Sequence, residues 1–385
     1  MHSTSRRKFL AAAVALPYSL KAFADATVAM TYLDPVTVQV YFGTDTDTDD
    51  KSSKGVYTSL WHTKTGKFMA PKLALKSVRP TFLARNGRAI YVLDEVEDGD
   101  GVLIACAPRP DGTLRQINAV SAKGPGSAYV AIHPTGRAAY VANFAAGSMT
   151  SFGIRPDSRL TEAVSHFQYT GRGPNPRQAA PHAHSTVVSP DGNFLLVNDL
   201  GLDQIHIYRI DAKDPAKLVD NGTWHGTPGS GPRHCVFSPD GSTVYNINEI
   251  ASTIDILQWN ASAGTLTTIG SPVSTLPGDF KGTNTCAEIL VSSDGRFLYA
   301  SNRGDDSVAV LSINQQNHGL ALQQSISTGG KTPRHITLSP DGKWLIAANQ
   351  DSSNVTVFRR DAAAGALTPT GNTIAVPHPM FTLFA

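Results

Sequence analysis

Cysteine is scarce in this sequence: its 385 residues include three, at Cys106, Cys235 and Cys286. They are far apart and none belongs to a CxxC pair, so neither a disulfide framework nor a cysteine zinc site is predicted. Charged residues are few as well, at 17%, while 41% of the residues are apolar. This composition indicates a well-buried globular core and excludes a disordered chain.

The chain also lacks an excess of either charge. It has 33 lysines and arginines against 31 aspartates and glutamates, a formal net charge of +2, so no nucleic-acid partner is predicted. No nucleotide-binding loop, GxSxG elbow or HExxH sequence occurs in it. Motif evidence for a nucleotide-dependent enzyme, a serine hydrolase or a zinc protease is therefore missing.

Long apolar runs are absent, and none approaches the ~20 residues that a membrane-spanning helix needs. Near the N-terminus, SRRKFL at 5–10 precedes a short apolar stretch at 11–16 and an A-x-A sequence at 22–24. Paired arginines in this arrangement are typical of a twin-arginine export signal. We expect residues 1–24 to be a cleaved signal that the twin-arginine translocon carries, and the mature protein to be periplasmic without stable membrane association.

Glycine and proline are abundant, with 33 and 24 residues, and they mark a repeat. One hairpin pattern occurs six times, as RNGRAIYVLD, HPTGRAAYVAN, SPDGNFLLVND, SPDGSTVYNIN, SSDGRFLYASN and SPDGKWLIAAN. The turn glycines lie 49, 56, 49, 54 and 47 residues apart, at Gly87, Gly136, Gly192, Gly241, Gly295 and Gly342. Tight turns of this kind join antiparallel strands.

A second pattern, an alternating strand followed by a turn and a short strand, occurs seven times. Its first copy, around 38–68, has no clean hairpin before it, so one unit is expected to combine strands from both chain ends. Seven units of roughly 50 residues predict an all-β fold over 25–385, a seven-bladed β-propeller of four-stranded antiparallel blades. A helical solenoid is disfavoured because the apolar residues alternate with period two, and two β-sandwiches would not explain the unbroken repeat.

Polar residues recur where the first strand of each hairpin begins and the second ends. In a propeller these points share one face, opposite the SPDG turns, and we expect their side chains to converge at the central channel, mainly from units four to seven. Paired charges are expected there, since burying unpaired charges is costly. The residues are His182, His184, Arg233, His234, Glu288, Arg334 and His335 at strand starts, and Asn198, Asp199, Glu249, Asn302, Arg303, Asn349 and Gln350 at strand ends.

Arginine binds carboxylate and phosphate through paired hydrogen bonds, so this set predicts an anionic ligand. Glu249 and the histidines are candidates to activate water, and an arginine to stabilise the oxyanion of an attacked ester. Such residues suit hydrolysis or formation of a lactone with an acidic group. No cofactor is expected, and the arginines disfavour a metal among His182, His184 and Glu288.

Four long segments are similar to the bacterial 6-phosphogluconolactonase propellers, a family that also contains carboxy-muconate lactonising enzymes. They are APHAH…SPDG…VNDLGLDQI (180–205), GPRHCVFSPDG…INEIAST (231–253), TCAEILVSSDGRFLYASNRGDDSV (285–308) and TPRHITLSPDGKWLIAANQDSSNVTVF (332–358). The resemblance implies catalytic roles for His184, Arg233, Glu249 and Arg303. We expect His182, His234, Glu288, Arg334 and Asp199 to contact the substrate.

Three functions are compatible with these residues. The resemblance favours a metal-independent hydrolase that opens 6-phosphogluconolactone or a related aldonolactone. The alternatives are a lactonising cycloisomerase acting on a carboxylated muconate and a non-catalytic exported propeller that binds a ligand.

The acidic stretch DTDTDD at 45–50 is expected to be a solvated loop, because it lacks the glycine and distal glutamate of an EF-hand.

Overall fold

The computed structural model describes residues 36–96 and 98–385, and tight turns organise its repeats. In the fifth repeat, Ser238 Oγ donates to Asp240 Oδ1 at 2.5 Å and accepts the backbone N–H of Thr243 at 3.0 Å. Gly241 has a φ of 71°, a left-handed conformation that residues with a Cβ atom disfavour. The serine of the SPDG sequence therefore shapes the turn.

Across residues 36–96 and 98–385, the turns and longer loops connect thirty strands and a short 3-10 helix at Pro176–Gln178. Blade 1 contains β1 (Thr37–Thr44), β2 (Gly55–His62), β3 (Lys67–Phe68) and β4 (Lys72–Lys76). Blade 2 contains β5 (Pro80–Asn86), β6 (Ala89–Asp94), β7 (Val102–Pro108) and β8 (Leu114–Ser121). Blade 3 contains β9 (Ser127–Ile132), β10 (Ala138–Asn143), β11 (Ser148–Ile154) and β12 (Leu160–Gln168), and blade 4 contains β13 (Ala183–Val188), β14 (Phe194–Asp199), β15 (Gln204–Ile210) and β16 (Leu218–His225).

The remaining blades follow the same order. Blade 5 contains β17 (Pro232–Phe237), β18 (Thr243–Asn248), β19 (Thr253–Asn260) and two short outer strands, β20 (Thr265–Thr268) and β21 (Val273–Ser274). Blade 6 contains β22 (Thr285–Val291), β23 (Phe297–Arg303), β24 (Ser307–Ile313) and β25 (Leu320–Ser327). Blade 7 contains β26 (Pro333–Leu338), β27 (Trp344–Asn349), β28 (Asn354–Arg360) and β29 (Leu367–Ala375), after which β30 (Pro379–Phe384) ends the chain.

Blade 1 closes the ring with strands from both ends of the chain. The last strand, β30, pairs antiparallel with β1, so that Phe42 lies opposite Thr382. The first strands of blades 2 to 7 and β30 contact one another in sequence around the axis. This arrangement confirms the predicted seven-bladed propeller and the predicted sharing of one blade.

Burial explains why the strands have different compositions. The second strands, such as β10 and β14, are buried along their whole length because neighbouring blades cover both faces. The outer strand β12 alternates between covered and exposed positions, as expected where one face meets solvent. Between blades 3 and 4, Tyr140 and Met149 pack with Leu195 in one apolar layer.

Within the described residues, the structure contains no helix with the length and apolar character to cross a membrane. The expected signal at 1–24 lies outside these residues, as does the predicted start of the mature chain near residue 25.

Candidate active site

Strand starts and strand ends meet at one end of the channel. Pro232 pairs with Asn248 and Pro333 with Asn349, which brings the polar residues that follow each pair to the same face. A cavity of about 420 Å³ opens there. Its titratable side chains are Arg79, Glu95, Arg177, His184, Glu249, Arg303 and Arg334.

Glu249 binds three arginines. Its Oε2 lies 2.9 Å from Arg233 Nε and 2.7 Å from Arg303 Nη2, while Oε1 accepts a hydrogen bond from Arg177. Burial opposes ionisation, but the three positive charges hold the pKa of Glu249 far below its ordinary value. Such a weakly basic carboxylate is poorly suited to accept a proton from water, which argues against Glu249 as the base.

Arg233 is the most enclosed of these arginines, with 2% of its surface exposed. Its Nη1 donates to the carbonyl oxygen of Ala287 at 2.6 Å and to His234 Nε2 at 3.2 Å. Burial and the neighbouring charge of Arg303 lower the pKa of Arg233 to about 9, so the guanidinium is still a cation at neutral pH. Arg233 is therefore a rigid positive group.

His184 lies between the cavity and the deeper part of the channel and contacts both. Its Nδ1 is buried without a hydrogen-bond partner. Burial and the positive charge of Arg233 hold the pKa of His184 well below its ordinary value. The imidazole is therefore neutral at physiological pH and has a nitrogen lone pair available.

Arg334 also contacts both spaces. In the part of the chain that the structure describes, no residue forms a hydrogen bond or an ion pair with its guanidinium. Burial, and then the charge of Arg303, lower the pKa of Arg334. Arg334 is only partly exposed, and a cation that is partly removed from water without a counter-ion is costly, so an anion bound here would be stabilised.

Below the cavity, the channel narrows to a neck. Its lining includes His184, Arg233, His234, Glu288 and His335, which surround a gap of about 20 Å³, enough for one water molecule. Tilted aromatic rings in close contact fill the rest of the channel. The ring centroid of Phe82 lies 4.0 Å from those of both Tyr129 and Phe381. The neck separates the cavity from a second, more apolar space of about 490 Å³ at the opposite face.

The first half of the chain contributes more than the sequence predicted. Arg79 and Glu95 line the cavity, and Arg79 Nη1 lies 3.6 Å from Glu95 Oε1. Asp45 holds Arg79 from the other side, with 3.2 Å between Asp45 Oδ1 and Arg79 Nε. The sequence did not predict either residue, although Arg79 directly precedes β5 and Glu95 directly follows β6, which are the strand-start and strand-end positions of the first hairpin copy. Four of the seven titratable residues of the cavity, His184, Glu249, Arg303 and Arg334, come from units four to seven as predicted.

Arg177 was also missed by the sequence analysis. It belongs to the 3-10 helix, which the side chain of Asn175 caps by accepting the backbone N–H of Arg177 at 3.0 Å. This helix lies in the connection between blades 3 and 4, outside the repeated hairpins. The Asn-Pro that precedes Arg177 is a helix-start signal, but the repeat pattern gave no reason to direct it toward the channel.

Two residues that were predicted to bind substrate form hydrogen bonds with the backbone instead. Asp199 is fully buried, and its Oδ1 accepts the N–H groups of His182, Gly201 and Leu202. The ring of His182 stacks on Phe144 at 4.4 Å, and its Nδ1 lies 3.0 Å from the carbonyl oxygen of that residue. Neither lines the cavity. The prediction of substrate contact was wrong for Asp199, because its carboxylate is used by the turn after β14.

Of the other predicted residues, four line the cavity: His184, Glu249, Arg303 and Arg334. Arg233, His234 and Glu288 lie one layer deeper, in the neck. Fold and site together define a β-propeller with an axial pocket that combines an unpaired cation, a neutral histidine and an arginine cluster. This is the arrangement of a binding and acid–base site for a small anionic molecule.

The chain belongs to the lactonase family of seven-bladed β-propellers, whose family model matches residues 39–384. A 6-phosphogluconolactonase from Bacillus subtilis (strain 168) is 33% identical over 334 residues, which cover 86% of this chain and 95% of the relative. A structure from Lactobacillus plantarum has a TM-score of 0.85 and 33% identity, covering 91% of this chain and 99% of that one. The periplasmic gluconolactonase of Pseudomonas aeruginosa has a TM-score of 0.84 and 28% identity, with 91% and 99% covered.

Proposed function

We propose that the protein hydrolyses a sugar-acid lactone, either 6-phosphogluconolactone or a related aldonolactone. The observation that carries this proposal is the unpaired guanidinium of Arg334 beside the neutral imidazole of His184. The cavity of about 420 Å³ is in the range of small-molecule sites. The names of the Bacillus and Pseudomonas relatives support the same class of substrate.

His184 is the general base in this mechanism. Its neutral imidazole takes a proton from a water molecule, and the resulting hydroxide adds to the carbonyl carbon of the lactone. An anionic group bound to Arg334 adds negative charge beside His184, which raises the pKa of the imidazole toward neutrality and strengthens the base. Glu249 does not compete for this proton because it already neutralises arginines.

Arg303, supported by Arg233, stabilises the oxyanion of the tetrahedral intermediate. The carbonyl then re-forms, the ring C–O bond breaks, and the proton on His184 passes to the departing ring oxygen, which becomes a hydroxyl group. The product is an open-chain hydroxy acid that ionises to a carboxylate and releases one proton. Glu249 holds the guanidinium groups in position throughout these steps.

The expected signal at 1–24 extends the proposal to the site of action. We propose that the twin-arginine translocon exports the protein to the periplasm, where an unphosphorylated aldonolactone is the more accessible substrate. The Pseudomonas relative, described as a periplasmic gluconolactonase, supports this location. Cell fractionation should find a shortened chain in the periplasm, and full-length protein confined to the cytoplasm would contradict export.

A lactone panel tests the activity. Wild-type protein should open 6-phosphogluconolactone or an aldonolactone faster than the spontaneous reaction, and a carboxylated muconate is included for the reverse, lactonising chemistry. R334A should raise KM for anionic lactones by roughly 10- to 150-fold, as expected when about 1.5–3 kcal/mol of charged hydrogen bonding is lost. R159A removes an arginine that is 49% exposed and paired with Asp157, and it serves as the matched control.

Two outcomes separate the function from the residue assignment. Failure of the wild type to open any lactone on the panel would contradict the hydrolase. Turnover by R334A with the KM of the wild type would leave the activity in place and reject Arg334 as the anion-binding group.

A further inference from the structure

A row of polar side chains crosses the neck of the channel. Arg233 Nη1 donates to His234 Nε2 at 3.2 Å, and His234 Nδ1 lies 3.0 Å from Glu288 Oε1. On the far side of the carboxylate, Glu288 Oε2 lies 3.6 Å from His335 Nε2. The row ends where the backbone N–H of Thr382 donates to His335 Nδ1 at 3.3 Å.

The two ends of this row fix the tautomers of both histidines. A guanidinium group can only donate, so His234 Nε2 must accept, and the single proton of the neutral ring is on Nδ1. A backbone N–H can also only donate, so His335 carries its proton on Nε2. Burial lowers the pKa of His234 and brings the pKa of His335 to about 4, so both rings are neutral at pH 7.

Glu288 lies between the two histidines, and its firm hydrogen bond is to His234. Its Oε1 receives the Nδ1–H of His234 and also the backbone N–H of Ile289 at 3.0 Å, and its Oε2 faces the Nε2–H of His335. Although burial raises the pKa of Glu288, its contact with His234 brings the value down to about 2. An ionised carboxylate accepts at both oxygens, whereas an amide accepts at one and donates at the other.

We propose that Glu288 is a positioning residue that fixes His234 with its Nε2 lone pair directed at Arg233, and so holds the guanidinium that supports the oxyanion. This reassigns Glu288 from the substrate contact that the sequence predicted. Its effect on turnover rests on the proposed lactone hydrolysis, but the arrangement of protons does not. The proposal also gives His234 a role, as the link between the carboxylate and the arginine.

Two substitutions separate positioning from a direct charge effect. In E288Q the amide oxygen can stay with His234 and Ile289, while the amide nitrogen faces His335. The proton of His335 stays on Nε2 because the backbone N–H of Thr382 still donates to Nδ1, so only the contact with His335 is lost. The support for Arg233 therefore survives in E288Q, and kcat should stay within about fivefold of the wild type. In E288M both acceptors are lost, and kcat should fall about 100-fold, the effect of a displaced catalytic group, with KM changed less than threefold.

The arrangement of protons is measured directly by ¹⁵N NMR of histidine-labelled full-length protein at pH 7, with signals assigned from H234F and H335F. The wild type should show His234 protonated on Nδ1 and His335 on Nε2. E288Q should leave both protons in place, because an amide oxygen still accepts from His234 Nδ1 and the backbone N–H of Thr382 still donates to His335 Nδ1. A wild-type signal from His234 protonated on Nε2 would overturn the proposal without any activity measurement.

The kinetic outcomes are equally decisive. If E288Q is as slow as E288M, the charge of Glu288 acts directly and the positioning role is wrong. If E288M turns over at the wild-type rate, His234 does not hold Arg233 through Glu288. If the wild type opens no lactone, the hydrolase fails, and the NMR result still decides whether Glu288 orients His234.

Discussion

At the scale of single residues, Glu249 is the centre of the site's charge. Its carboxylate neutralises a cluster of guanidinium groups that would otherwise repel one another around a narrow cavity. The residue types alone suggested a base at this position, and the resemblance gave it a catalytic role. The geometry gives it a different task, because a carboxylate shared by three cations has almost no basicity left.

Removing this charge should therefore affect stability as well as turnover. E249Q leaves Arg233 and Arg303 without their counter-ion, and breaking a buried pair in this way costs about 3–5 kcal/mol. Urea denaturation at pH 7 should show this loss in the free energy of unfolding. An E249Q protein as stable as the wild type would mean that the arginines do not depend on Glu249.

The sign of the pH dependence follows from the same pairing. The pKa of Glu249 is lower in the folded protein than in the unfolded chain, so its stabilising contribution is complete above the ordinary glutamate pKa of about 4.3 and fades as the pH falls further. The difference in stability between wild type and E249Q should therefore narrow below about pH 4. A difference that stays constant down to pH 3 would contradict the depressed pKa.

At the scale of elements, the acidic loop at 45–50 combines an exposed aspartate with a buried one. Asp47 forms an exposed ion pair with Lys51, as the prediction of a solvated loop implies. Asp45, by contrast, is 5% exposed, forms an ion pair with Arg79 and accepts a hydrogen bond from Gln350. Arg79 itself has a φ of 51°, a conformation that needs support from its surroundings. The start of the loop therefore supports Arg79, a residue of the cavity wall.

The buried Asp45 and the exposed Asp47 should therefore differ in how their substitution affects KM. D45N should release Arg79 and raise KM for the lactone by roughly tenfold, about 1.4 kcal/mol of binding, with little change in kcat because His184 is untouched. D47N is the matched control and should leave both constants unchanged. Steady-state kinetics on the two variants measures this, and equal KM values for D45N and D47N would remove the loop from the site.

At the scale of the whole molecule, the repeat made the fold predictable. Turn glycines such as Gly241 recur at nearly constant spacing because each blade needs the same tight turn, and the chain ends pair because a closed ring leaves no free inner edge. The site was less predictable. His184, Arg303 and Arg334 follow from their places in the repeat, whereas Arg177 comes from a connection between blades that the period does not constrain.

The sequence also could not show which arginines form ion pairs with a carboxylate. Which arginine is neutralised and which is left for a ligand depends on distances of a few ångströms across the channel. In the sequence, Arg233 and Arg334 at strand starts and Arg303 at a strand end are equivalent candidates for binding an anion. The structure assigns Arg233 and Arg303 to Glu249 and leaves Arg334 without a partner among the described residues.

The central claim is that a neutral, buried His184 is the base for lactone opening in the axial cavity. Its most direct test is kcat/KM against pH for wild type and H184Q, corrected for spontaneous hydrolysis, with H166Q on the outer strand β12 as control. Because the pKa of free His184 is well below its ordinary value of about 6.5, the wild-type profile should show no decline near pH 6.5 as the pH falls from 8 to 5.5. H184Q should lose about 10²–10⁴-fold in kcat/KM at every pH, and wild-type activity in H184Q would contradict the mechanism.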